Sequence, residues 1–121
     1  MMISANDVLQ VISEIHQYSM LLFELKDLTT FGILHSGGGK VNYFKLGAKM
    51  SRRERVDLVQ NMYSGIMPEL VFALSVDQFV REIEDKKARH IWLETVEPER
   101  KEMAFASISE LKSYLKSGSS H

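Results

Sequence analysis

The stretch from His35 to Lys40, HSGGGK, places three glycines ahead of a lysine, the composition of a loop that wraps a phosphate. A phosphate-binding P-loop has the form G-x-x-x-x-G-K-[ST] and passes from a strand into a helix. Here the position five before Gly39 is Leu34, Lys40 is followed by Val41, and VNYFKL then alternates like a strand. The segment therefore reads as a hairpin connection in which glycine supplies positive φ without steric cost. A recognition loop is the alternative.

A second candidate is the basic run KLGAKMSRRER, with Lys45, Lys49, Arg52, Arg53 and Arg55. Cations in a first helical turn oppose the helix macrodipole, so they do not serve that helix locally. An open helix N-terminus beside two arginines is an anion site, for a phosphate or for a partner's carboxylates. The plainer reading is a solvated helix end whose long side chains pair with nearby acids.

The third candidate surrounds the only tryptophan. Residues 89–97 and 101–106 read as a hairpin closed by the turn Glu97-Pro98-Glu99-Arg100. Pairing Glu97 with Arg100 sets Val96 opposite Lys101, Glu94 opposite Met103 and Trp92 opposite Phe105. His90, Trp92, Glu94, Lys101, Met103 and Phe105 then share one face, an aromatic patch with a charged rim of the kind found at binding hot spots. Ile91, Leu93, Ala104 and Ala106 fall on the other face, where alanines suit a packed helix. If helices cover both faces, Trp92 is core instead.

Catalytic signatures are missing from the sequence. The chain has no cysteine, which removes thiolate nucleophiles, thiolate zinc sites and disulfides. It has no G-x-S-x-G, no H-E-x-x-H and no calcium loop. Of the four histidines, His16 borders an apolar helical seam, His35 ends a strand, His90 lies within one and His121 is in the tail. His90 and Glu94 stand about 13 Å apart along a strand, so they cannot share a metal directly. No metal and no cofactor are assigned.

The elements that would position these groups follow from period and caps. Ser4 caps a helix whose seam Val8, Val11, Ile15, Tyr18, Leu22 and Leu25 runs to about Lys26, although Leu21 and Phe23 lie off it, so that the second half reads either as a more fully buried helix or as a strand. Thr30–His35 and Val41–Leu46 form the first hairpin. Ser51–Glu54 and Ser75–Gln78 are capping boxes that open two further helices, toward Gly65 and toward Lys87. Between them ELVFAL, 69–74, fits a buried strand or a helical turn equally. A last short helix covers about 109–116. The fold class is α+β: a single domain over 1–116, an antiparallel or mixed sheet of four to five strands with two β-hairpins, and about four helices. Residues 117–121 read as a flexible tail with the composition of a tag remnant.

At 121 residues, 45% apolar and 26% charged, the composition is that of one globular domain. No segment reaches the ~18 apolar residues of a membrane span, and MMISANDVLQ lacks the basic start of a secretory signal. The expectation is a cytoplasmic protein without membrane contact. Net charge is −1, divided as +2 over residues 1–55 and −3 over 56–121, too mild for general nucleic-acid binding. Together these readings favour a non-enzymatic protein-binding domain. Its concrete form is an inhibitor of the immunity or antitoxin type, whose acidic C-terminal half complements a basic toxin or nuclease. A nucleic-acid or phosphate-ligand module using Lys45–Arg55 is the alternative, and a homodimer formed through the first-helix seam is a third reading.

Overall fold

A computed structural model describes residues 4–15, 19–35, 40–46, 49–66, 68–84, 86–95 and 101–118. Residues 36–39 of the HSGGGK connection, the Glu97–Arg100 turn, His16, Tyr18, Val96 and the end of the tail fall outside the described residues. Helix α1 spans Ala5–Glu14, with the Ser4 hydroxyl accepting from the Asp7 N–H at 3.1 Å. It ends at Ile15, which is already extended.

The helix expected to continue to Lys26 is replaced by a strand, β1, over Ser19–Leu25. Met20, Leu21, Leu22, Phe23 and Leu25 are all buried, alternately against the two faces of the sheet. A strand covered on both sides is apolar at every position, so it satisfies a helical period by accident. β2 (Thr30–His35) and β3 (Val41–Leu46) form the expected hairpin, with His35 opposite Val41 and Thr30 opposite Leu46. α2 (Arg52–Tyr63) and α3 (Val76–Ile83) both begin at complete capping boxes, Ser51 with Glu54 and Ser75 with Gln78. Between them ELVFAL supplies a strand, β4 (Val71–Leu74), while α3 stops short of Lys87. β5 (Ala88–Thr95), β6 (Lys101–Phe105) and α4 (Ile108–Gly118) complete the chain.

Among the described residues the fold is α+β, with four helices and one sheet of six antiparallel strands in the order β4-β3-β2-β1-β5-β6. The sixth strand, beyond the four to five expected, is β1. Helices cover both faces. α1, α3 and α4 bury Val8, Val11, Phe79, Ile83, Leu111 and Leu115 against Leu21, Phe23, Phe31, Ile33, Ile91 and Leu93. Phe79 is the hub there, with ring centroids 6.4 Å from Phe23, 6.0 Å from Phe31 and 5.4 Å from Tyr43. α2 alone covers the other face, placing Leu58, Val59 and Met62 over Met20, Leu22, Leu34, Phe44 and Leu46. The first-helix seam is thus used inside the chain. Val8, Val11 and Ile15 are core.

Candidate interaction surface

The second hairpin pairs one residue out of the expected register. Thr95, not Val96, stands opposite Lys101; Glu94 faces Glu102, Leu93 faces Met103, Trp92 faces Ala104, and Ile91 faces Phe105. A slip of one residue exchanges the two faces of a strand. Lys101, Met103 and Phe105 therefore share register positions with Ile91 and Leu93, while His90, Trp92 and Glu94 share theirs with the alanines. Met103 and Phe105 are half-buried under α4, where the Phe105 ring lies 5.6 Å from Tyr114. The chain turns from β6 directly into α4, so the helix folds back over that face.

Trp92 is core. It is 9% exposed, and the Arg55 guanidinium stacks 3.9 Å from its ring centroid. Arg55 and Glu94 are themselves only 7% and 1% exposed, so charges of both signs lie inside this face. Of the six residues grouped as a patch, His90 is exposed beside Trp92, at 5.6 Å between rings. Of the two readings the sequence left open, the structure takes the one in which helices cover both faces and Trp92 packs into the α2 core.

The basic run is divided as well. Lys45 lies on the three-helix face, 5.6 Å over the Phe31 ring, and Arg55 points inward from α2. Lys49, Arg52 and Arg53 stay exposed near the helix start. That start is not open. The Ser51 hydroxyl accepts from the Glu54 N–H at 3.2 Å, and Glu54 Oε1 accepts from the Ser51 N–H at 3.1 Å. The Ser51 backbone N–H, and after it the Ser51 hydroxyl, hold the Glu54 carboxyl below its ordinary value of 4.5.

His35 ends β2 with its Nδ1 enclosed and no hydrogen-bond partner on it. No group of three or more His, Asp or Glu that could hold a metal occurs among the described residues. No helix among them is long and apolar enough to cross a membrane.

Among the described residues an uncovered surface lies at β4. This strand is one edge of the sheet, and Val71–Leu74 contains no charge and no proline. Of the large apolar side chains exposed among the described residues, Ile66, Leu70, Phe72 and Val76 lie in β4 or near it in sequence; Leu9 and Tyr114 are on α1 and α4. Ile66 is 58% exposed, Phe72 53% and Leu70 46%. Phe72 stands opposite Lys45, on the three-helix side, while Val71 packs into the α2 core. A groove of about 200 Å³ runs along α2, lined by Met50, Leu58, Pro68 and Leu70 together with Glu54, Asp57 and Asn61.

No protein-family model matches the chain, and no curated protein or solved structure matches it either. The site is therefore read from its own chemistry. Exposed apolar side chains in and beside an edge strand are suited to contact with another polypeptide. Sequence reasoning passed over them because ELVFAL is too short to reveal its period. The usable signal was the lack of any charge in VFAL after Pro68, beside two further apolar residues at 66 and 70.

Proposed function

We propose that this chain is a non-enzymatic protein-binding domain that engages its partner along β4. The observation behind this reading is the exposure of Ile66, Leu70 and Phe72 in and just before an edge strand whose own residues carry no charge. Natural edge strands are commonly guarded by lysine, proline, bulges or a covering element. The opposite edge, β6, carries Lys101 and Glu102. Addition of a partner strand would satisfy the outer backbone groups of β4 and cover both apolar sides at once. The narrower form, an immunity- or antitoxin-type inhibitor of a basic toxic partner, rests on the acidic balance of residues 56–121.

The phosphate or nucleic-acid alternative has less behind it, because Lys45 and Arg55 are turned away from Lys49, Arg52 and Arg53 and the helix start is capped. The deciding experiment is affinity capture from source-cell extract, with and without nuclease, using the unmodified chain and the double variant Leu70→Ser/Phe72→Ser. Both sites are exposed, so the variant should keep its melting behaviour within about 0.5 kcal/mol. The expected result is a stoichiometric protein that survives nuclease and is lost from the variant. Recovery of nucleic acid, or a partner indifferent to the variant, would refute the reading.

A further inference from the structure

The protein-binding reading leaves the partner's chemistry open, and the following inference, which rests on that reading, concerns what the groove beside Leu70 accepts. Its volume of about 200 Å³ lies below the ~300–1,000 Å³ of a typical small-molecule pocket and suits one side chain. Its apolar lining is Met50, Leu58, Pro68 and Leu70, Glu54 and Asp57 line it as well, and no Lys or Arg is among its described lining residues. Lys49 and Arg53 are exposed nearby but are not among the lining residues. An apolar lining that includes two carboxylates matches a lysine or arginine, whose methylene stem buries on apolar surface while its charged head meets the acids. The head would make charge-assisted hydrogen bonds there. The groove adjoins Leu70, the residue immediately before the bare edge strand.

We propose that β4 receives an extended, cationic segment of a partner protein, which adds to the sheet edge and lays one lysine or arginine side chain in the groove between Glu54 and Asp57. A second copy of this chain does not fit that description. Antiparallel pairing of β4 with its own copy would bring the residues after Leu74, Ser75-Val76-Asp77, toward Leu70. They supply a carboxylate where the groove requires a cation.

The test begins with random peptides displayed on phage and selected against the full chain. The enriched peptide is then synthesised and titrated into isotope-labelled protein. Enrichment of alternating apolar peptides that hold a lysine or arginine is expected, with amide shifts over Leu70–Leu74 and affinity that falls with added salt. The variant Glu54→Gln/Asp57→Asn should weaken binding by about tenfold or more. Gln at position 54 can keep the capping bond that Gln78 makes in α3, so the fold is retained and a thermal melt checks it. Selection of acidic or purely apolar peptides, no selection at all, or full affinity in the double variant would overturn the proposal. So would concentration-dependent dimerisation abolished by Ala73→Pro, which would give the edge to a second copy. If extract capture yields no protein, the broader reading fails; a captured protein that binds Glu54→Gln/Asp57→Asn unchanged sinks only the cationic segment.

Discussion

Two single residues carry backbone or packing demands that a substitution would expose. Gly32 lies in β2 opposite Phe44, and a Cβ built there would overlap the Phe44 ring. Phe44 is itself buried, so the ring has nowhere to go. Gly32→Ala should lower stability by about 3 kcal/mol, the upper range for an overpacked core, in a urea melt. Leu28 is the reverse case. It has φ 70 in the turn between β1 and β2, held by the Leu28 N–H to the Leu25 carbonyl at 2.9 Å and by Asp27 Oδ1 accepting from Thr29. The left-handed region is unfavourable for leucine, so Leu28→Gly should raise stability by about 0.5–1 kcal/mol. An unchanged or lower melting temperature would show that the leucine side chain compensates through packing. Neither position was legible in the sequence. A glycine between strand formers and a leucine in a short connection declare their roles only through neighbours that are distant or geometric.

At the scale of elements, the caps were the most legible features. Ser51 with Glu54 and Ser75 with Gln78 are local, and both form as the spacing requires. Ser51→Ala should cost about 1 kcal/mol, read as a lower urea midpoint with unchanged slope. A cost near zero would mean that the Glu54 side chain alone supports the helix start. The boundary between α1 and β1 was not legible. Val8, Val11 and Ile15 do form a helical stripe, but Leu22 and Leu25 continue it only because β1 is buried on both faces. The β5–β6 register failed for a related reason: a shift of one residue leaves the composition of the hairpin unchanged while moving Met103 and Phe105 away from Trp92. Trp92 as core was one of the two open readings. What selects it is α2, which brings Arg55 over the indole from a distant part of the chain.

For the whole molecule, acid should loosen the contact between the first and last helices. Lys112 Nζ donates to Asp7 Oδ1 at 3.0 Å, joining α4 to α1. That bond, with the Ser4 hydroxyl second, holds the Asp7 carboxyl below its ordinary value of 3.8. A lowered folded-state pKa stabilises the fold above the unfolded value, and the contribution disappears as pH falls through the lower folded value. Asp7→Asn should therefore cost about 0.5 kcal/mol near neutral pH, after discounting for partial exposure, and progressively less below about pH 4. Urea melts across that range would show it, and a cost independent of pH would argue against the ion pair. The strand order has a separate consequence for how the chain assembles. Every neighbour in the sheet is also the next strand in sequence, except where β1 meets β5. Strands β1–β4 can form as consecutive pairs, and so can β5–β6, but Leu25 meets Ala88 only after everything between them has been looped out. Long-range closure is the slow, entropically costly event in such a topology. The seam from Ser19–Thr95 to Leu25–Ala88 is thus the last strand junction to close and the one on which cooperativity between the two halves depends.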